Sequence, residues 1–159
     1  MTSASAGIDE AAVPALRTQA LTRRFGHLTV VDHLDLTVAA GEIFGLLGRN
    51  GAGKSTLIRM LTTLLPPSSG NASVEGFDVV RQATQVRGAI GYVPQALSAD
   101  GELTGYENLS VFAQLYDIPR AERARRITEA LAFMDLTEAA DRLVATYSGG
   151  MIRRLEIAQ

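Results

Sequence analysis

The segment from Ile43 to Ser55 reads IFGLLGRNGAGKS, and it sets the fold class expected of this 159-residue chain. Residues 43–47 form a short, continuously apolar run, which is typical of a strand buried on both faces of a parallel sheet. A glycine-rich turn follows, and apolar residues then recur at helical spacing from Leu57 until Pro66 and Pro67 end the helix. The order strand, loop, helix predicts an α/β domain.

The loop of this segment, residues 48–55, matches the phosphate-binding pattern G-x-x-x-x-G-K-S/T. Its glycines allow several backbone N–H groups to point at one anion, which lands on the positive end of the following helix. In such a loop Lys54 reaches the β- and γ-phosphates of a nucleotide and the Ser55 hydroxyl ligates Mg²⁺. Kinases, GTPases, helicases and transporters all remain compatible with it. The residues predicted to bind the nucleotide are Gly48, Arg49, Asn50, Gly51, Ala52, Gly53, Lys54, Ser55 and Thr56.

A second motif narrows these classes. Residues 147–151 read YSGGM and resemble the L-S-G-G-Q signature of ATP-binding cassette (ABC) proteins, with Tyr147 for leucine and Met151 for glutamine. Ser-Gly-Gly alone is more often a loop before a helix, but here it follows a helical stretch and Ser148 stands where it would cap a new helix. The sequences of residues 41–48 and 103–109 look most like those of the ATPase subunits of bacterial drug and antibiotic exporters.

Two further residues fit this resemblance, which runs from about residue 16 to residue 159. Gln95 follows a predicted strand between the loop and the signature, where the family keeps a glutamine that contacts Mg²⁺ and the attacking water. Phe25 falls where the family places an aromatic that stacks on adenine. A glutamine after a strand is otherwise a surface residue, and a strand-end aromatic otherwise packs on the core, so both alternatives stay open.

The resemblance implies the ATP-binding subunit of an exporter, with ATP and Mg²⁺ as cofactors and membrane-spanning permease subunits as partners. Such a subunit is cytoplasmic and peripheral at the inner face of the cell membrane. Two copies form a homodimer that encloses two ATP molecules, and Ser148, Gly149 and Gly150 act on the partner's ATP at a helix N-terminus.

In the family that this chain resembles, the signature is followed by an apolar strand ending in Asp-Glu, a D-loop and a switch histidine. None of these three follows the signature within the 159 residues. The nearest match, Leu131–Asp135, precedes the signature and lies on a predicted helix, while His27 and His33 precede the phosphate loop. We therefore expect a C-terminally truncated cassette that binds ATP without hydrolysing it. Residues 43–47 would then present an unpaired apolar edge.

The composition of the chain limits the kinds of partner and bound group that we expect. The net charge of −2 offers no positive field for nucleic acid, and the absence of cysteine excludes disulfides and thiolate metal sites. The apolar runs are shorter than the ~18 residues that span a bilayer. Two alternatives to the exporter remain: a soluble ABC-type ATPase acting on ribosomes or DNA, and a non-catalytic nucleotide-binding fragment.

The predicted organisation is a flexible tail at residues 1–14 and the N-terminal portion of an ABC nucleotide-binding domain at residues 15–159. Within it we expect an α/β P-loop NTPase core with an N-terminal antiparallel β ribbon over residues 16–38, and a helical subdomain at about 96–146. Short strands are predicted at residues 70–76 and 89–93, on either side of a helix at residues 81–87.

Helix starts in the second half are marked by local signals. Thr104 and Glu107 have the spacing of a capping box, and Pro119 opens a helix whose charged residues pair at i,i+4, Glu122 with Arg126 and Arg125 with Glu129. Ser148 is the predicted N-cap of the last helix.

Overall fold

The computed structural model describes residues 13–159. Residues 1–12 of the predicted flexible tail lie outside the described part, so that prediction stays a prediction. The chain separates into two compact units between Tyr92 and Val93. Within residues 13–159, no helix combines the length and the apolar character needed to cross a membrane.

The first unit is built on a four-stranded antiparallel sheet in the order β2-β1-β3-β4. The strands are β1 (Leu16–Phe25), β2 (Leu28–Val38), β3 (Ser69–Val74) and β4 (Phe77–Asp78). β1 and β2 form a hairpin that pairs Leu16 with Val38 at one end and Phe25 with Leu28 at the other. The antiparallel ribbon expected over residues 16–38 is therefore confirmed.

Two helices accompany this sheet, α1 (Lys54–Leu61) and α2 (Ala83–Ala89). The core of this unit consists of apolar side chains from the sheet, both helices and the turn after β4: Leu21, Val31, Leu57, Met60, Ala72, Val74, Val79 and Val86. α1 ends well before Pro66 rather than at it, because Thr62 leaves the helical region and Thr63 adopts a φ of +63°. A β-branched residue at positive φ does not continue a helix.

The predicted strand over residues 43–47 is wrong for the described chain. These residues lie in neither a helix nor a strand, Ile43 is fully exposed, and Leu47 is 92% exposed. Leu46 and Leu47 line a cavity of about 220 Å³ together with Val31 and Leu34 of β2. A strand needs a neighbour that accepts and donates its ladder hydrogen bonds, and none of the four strands within residues 13–159 pairs with this segment.

The predicted strand over residues 89–93 is wrong for the same reason. Ala89 is the last residue of α2, and Ile90 is extended, with φ −119° and ψ 149°, but it pairs with no strand of the described sheet. The expected parallel sheet is thus absent from residues 13–159, and residues 43–47 form an exposed apolar segment rather than the expected strand edge.

The second unit, Val93–Gln159, is helical. It contains α3 (Gly105–Leu115), α4 (Arg120–Phe133) and α5 (Gly149–Ala158), with short 3-10 turns at Thr137–Ala139 and Val144–Thr146. Its core is formed by apolar side chains of the helices and turns: Leu109, Ala113, Ile127, Leu131, Leu136, Ala139, Val144, Tyr147 and Leu155.

The local helix signals of this unit are confirmed. Thr104 and Glu107 form a reciprocal capping box, in which the Thr104 N–H, and then its hydroxyl, lower the pKa of the Glu107 carboxyl. Pro119 precedes α4. Both predicted i,i+4 ion pairs form on α4, with N–O distances of 2.8 Å for Arg125–Glu129 and 2.7 Å for Arg126–Glu122.

Candidate functional site

The predicted phosphate loop wraps into the start of α1. Gly51 and Gly53 adopt left-handed φ values of +81° and +85°, and the Ala52 N–H donates to the Arg49 carbonyl at 3.2 Å. Gly53 is the N-cap residue of α1, and a Cβ added there would stand 2.5 Å from the Val30 carbonyl oxygen of β2. Only glycine allows this backbone conformation and this approach together.

Lys54 spans the loop that it follows. Its Nζ donates to the Gly48 carbonyl at 2.7 Å and to the Arg49 carbonyl at 2.8 Å. An ammonium group has three donors, so two of them hold the ends of the loop together and the third can meet an anion. The lysine therefore carries its positive charge beside the first two carbonyls of the loop.

The start of α1 also suits an anion. Its first four residues, 54–57, read KSTL and contain no acidic side chain, and Gly53 has no side chain with which to cap them. The amides of the first helical turn lack intrahelical acceptors in any α-helix, and the helix dipole adds partial positive charge there. Ser55 is exposed and Thr56 is half-buried, so the Ser55 hydroxyl is accessible to a metal ion held beside a phosphate.

Phe25 stands at the end of β1, next to the hairpin turn. It is 46% exposed, and the guanidinium carbon of Arg23 lies 4.6 Å from its ring centroid. The same guanidinium donates from Nη1 to the Pro66 carbonyl at 2.8 Å. Phe25 is thus not a core residue, which removes the alternative role suggested by its sequence position; adenine stacking itself stays a prediction.

Gln95 belongs to the second unit, whereas the phosphate loop belongs to the first. Gln95 is exposed and lies in an irregular segment between Pro94 and Ala99. We call residues 94–99 the glutamine segment. Two of its residues are held by α5: the Pro94 carbonyl accepts from Arg153 Nη1 at 2.7 Å, and Ser98 donates to Glu156.

The signature residues start α5 as predicted. Ser148 is the N-cap, with its Oγ accepting from the Met151 N–H at 3.3 Å, and Gly149 and Gly150 are exposed first-turn residues. The structure therefore brings Ser148, Gly149 and Gly150 together as exposed residues at a helix N-terminus.

Tyr147, which replaces leucine in the signature, is buried beneath this helix start. Its hydroxyl donates to the Ala139 carbonyl at 2.6 Å, and a Cβ added to Gly105 would collide with that hydroxyl. Burial raises the pKa of the Tyr147 hydroxyl, against the opposing effect of Arg142. The tyrosine thus fits because Gly105 leaves it room and Ala139 offers an acceptor.

Glu156 is a structural residue that none of the sequence motifs marked. Its side chain is completely buried, although glutamate is among the residues least often buried without a partner. The available signal was its position on α5, four residues after Ile152 and directly after Leu155, since i,i+4 positions share one face of a helix. The buried carboxylate contributes to the attachment of the glutamine segment.

Comparisons with known proteins agree with these features. A family model described as ABC transporter matches residues 31–159. The daunorubicin resistance ATP-binding protein DrrA2 of Streptomyces coeruleorubidus is 45% identical over 144 residues, which cover 91% of this chain and 45% of that protein. The linearmycin resistance ATP-binding protein LnrL of Bacillus subtilis is 38% identical over 142 residues, covering 89% of this chain and 46% of that protein.

A solved structure is also similar. It is described as the structure of an ATP binding subunit of an ABC transporter, with a TM-score of 0.76 and 29% sequence identity, and the match covers 91% of this chain and 60% of the solved chain. The chain spans about half the length of the curated relatives it matches.

Proposed function

Because the chain belongs to the ABC transporter family, we propose that it is the nucleotide-binding portion of an exporter ATPase that couples ATP binding and hydrolysis to the transport of a drug or antibiotic. The observation that supports this most strongly is the loop at residues 48–54, whose backbone is closed by Lys54 and whose Gly53 permits close packing on β2. DrrA2 and LnrL are both described as resistance ATP-binding proteins.

The residues present fit a magnesium nucleotide. Residues 48–53 contain backbone N–H groups besides that of Ala52, which donates to the Arg49 carbonyl. Lys54 supplies a cation beside the Gly48 carbonyl, and Ser55 is an exposed residue whose hydroxyl is an oxygen ligand of the kind that Mg²⁺ binds. When bound, Mg²⁺ would neutralise negative charge on the phosphates. Phe25 is 46% exposed, and we propose that its ring stacks on adenine. Gln95 is the proposed contact to Mg²⁺ and the attacking water.

The start of α5 is a second helix N-terminus suited to an anion, which supports the proposal of a dimeric mechanism. Ser148, Gly149 and Gly150 are exposed residues at the N-terminus of α5, and a helix N-terminus attracts phosphate. We place these residues against the ATP of a second copy, so that nucleotide closes a homodimer. The proposed partners beyond that copy are membrane-spanning permease subunits, and the proposed location is the cytoplasmic face of the membrane.

Hydrolysis of ATP requires a side chain that acts on the attacking water, in addition to the groups that bind the nucleotide. In-line attack needs a side chain that orients water, and the 159 residues contain no Asp-Glu pair after the signature. We propose that the 159-residue polypeptide alone binds ATP without turnover, and that a longer version with those acids hydrolyses it. Neither DrrA2 nor LnrL is described as acting on ribosomes or DNA.

The test is nucleotide binding by a Lys54→Ala variant in a fluorescent-nucleotide titration. We expect a loss of affinity of about tenfold or more, because removing the lysine leaves the phosphates with backbone donors only. Arg59→Ala is the matched control, since it removes a cation from the last turn of the same helix and should leave affinity unchanged. Equal affinities of the Lys54→Ala variant and the wild type would contradict the proposal.

A further inference from the structure

The glutamine segment, residues 94–99, contains neither helix nor strand, yet α5 holds it at two points. At one end, Arg153 Nη1 donates to the Pro94 carbonyl at 2.7 Å. At the other end, the Ser98 N–H and the Ser98 hydroxyl both donate to Glu156 Oε1, the hydroxyl at 3.2 Å. Gln95 therefore lies in a short span of chain whose two ends are attached to the same helix.

The two α5 residues are also bound to each other. Arg153 Nη1 lies 3.1 Å from Glu156 Oε2, as residues three apart on one helix face can. The Glu156 side chain is completely buried, while that of Arg153 is 43% exposed. A buried carboxylate is costly unless it is paired and hydrogen-bonded, and here one oxygen receives Ser98 and the other receives Arg153.

The charge state of Glu156 agrees with this geometry. Burial opposes its ionisation, but the hydrogen bonds from the Ser98 N–H, from Arg153 and from the Ser98 hydroxyl outweigh burial and bring the pKa of this carboxyl below its ordinary value. Glu156 is therefore an anion at neutral pH. Its Oε1 accepts from both the N–H and the hydroxyl of Ser98, and hydrogen bonds to an ionised acceptor are stronger than those to a neutral one.

The same helix carries the signature. Ser148 caps α5, Gly149 and Gly150 form its first turn, and Arg153 and Glu156 follow one and two turns later. An α-helix of 10 residues with a continuous hydrogen-bond ladder is rigid over this length. Whatever displaces the N-terminus of α5 must therefore also displace the attachment points of the glutamine segment.

We propose that Glu156 is a positioning residue that, together with Arg153, fastens the glutamine segment to the signature helix, so that Gln95 and the signature respond to nucleotide as a single body. This inference rests on the proposed function for its consequence in catalysis. The attachment itself rests only on contacts within the second unit, so the two parts can be tested separately.

The experiment compares Glu156→Ala and Glu156→Gln with the unsubstituted protein, each in the longer version that carries the catalytic acids proposed above. Glu129→Gln is the matched control, because Glu129 forms an exposed ion pair with Arg125 on α4. Hydrogen exchange at the Ser98 amide measures the attachment. Steady-state kinetics measure kcat and KM for ATP, and thermal unfolding measures global stability.

We expect Glu156→Ala to speed exchange of the Ser98 amide about tenfold or more, with core amides such as that of Leu131 unchanged. It should lower kcat while KM for ATP stays constant, because Lys54 and the phosphate loop are not altered. Glu156→Gln retains an oxygen acceptor for Ser98. Its Ser98 exchange rate and its kcat should therefore lie between those of Glu156→Ala and the wild type. The Glu129→Gln control should match the wild type in all three measurements.

Three outcomes would overturn the inference: unchanged exchange at Ser98, unchanged kcat despite faster exchange, or a fall in kcat that only follows the unfolded fraction. If the wild type does not bind ATP, the proposed function has failed. In that case the coupling to nucleotide fails with it, and the exchange measurement alone decides whether Glu156 fastens the segment.

Discussion

The phosphate loop and the signature are both glycine-containing helix starts, but the chain builds them in different ways. α1 begins at Gly53 in a left-handed conformation without any side-chain cap, whereas α5 begins at extended Ser148, whose hydroxyl accepts from the Met151 N–H. The loop before α1 is closed by a lysine only five and six residues away from the carbonyls it binds. The start of α5 rests on buried Tyr147, which is bound to Ala139 of a preceding turn.

This difference has a consequence for how each site tolerates change. The phosphate loop depends on backbone conformation, so glycine substitutions should affect it most. The signature depends on side chains that are brought together by packing. Substitutions far from Ser148 in the sequence should therefore also change the conformation of the signature. At the start of α1, stability should therefore depend most on which positions are glycine. At the start of α5, it should depend most on the side chains packed beneath the helix.

Gly53→Ala should have the largest effect on stability. Left-handed strain of about 1–2 kcal/mol and a forced shift of the Val30 carbonyl at about 1–3 kcal/mol add to roughly 3 kcal/mol lost from the free energy of unfolding. Urea denaturation of the longer version proposed above measures this loss. Gly51→Ala is the control, because Gly51 has a similar φ of +81° but open space around a Cβ, and it should lose only the strain. Equal losses from the two variants would show that the contact with Val30 is unimportant.

Phe25→Ala should weaken adenine nucleotides by about 1–3 kcal/mol while leaving inorganic triphosphate unaffected, because only the base has a face to stack on the ring. Competition titrations against a fluorescent nucleotide give both affinities. Leu28→Ala serves as the control, since Leu28 is 65% exposed and pairs with Phe25 across the hairpin. If both ligands lose affinity equally, Phe25 supports the hairpin rather than the base.

Tyr147→Phe should lower the free energy of unfolding by about 1 kcal/mol, because the Ala139 carbonyl loses its donor. Gly105→Ala should also destabilise the second unit, since its methyl group meets the Tyr147 hydroxyl. When the two changes are combined, the loss should be smaller than their sum, because phenylalanine removes the atom with which the new methyl collides. Additive losses in this double-mutant cycle would mean that Gly105 and Tyr147 act independently.

The smallest effect should be one of pH. A carboxyl whose folded pKa lies below its ordinary value near 4.5 contributes stability above that value and loses it as pH falls through the folded pKa. Within residues 13–159, the charged group placed against Glu156 is Arg153. The stability difference between the wild type and Glu156→Gln should thus be full at about pH 7 and shrink below about pH 4.5. A difference that grows on acidification would reverse the assigned direction.

Part of the fold could be predicted because its signals are local. The capping box at Thr104 and Glu107, the proline before α4 and the serine before α5 each act within about one helical turn, and all three are present. The strand predicted at residues 43–47 failed because an apolar run specifies burial without specifying its neighbour. With no partner strand among the described residues, Ile43 and Leu47 remain exposed.

The phosphate loop, the helix caps and the family could all be read from the amino-acid order, since each depends on residue types within a short span of chain. The loop geometry follows from glycines that permit positive φ and from one lysine in reach of its own preceding carbonyls. Tertiary packing was needed to show that Glu156 is buried and bound to Ser98, 58 residues away, and that Tyr147 fits against Gly105. Such contacts depend on which faces of separate elements meet, and packing sets those faces rather than local propensity.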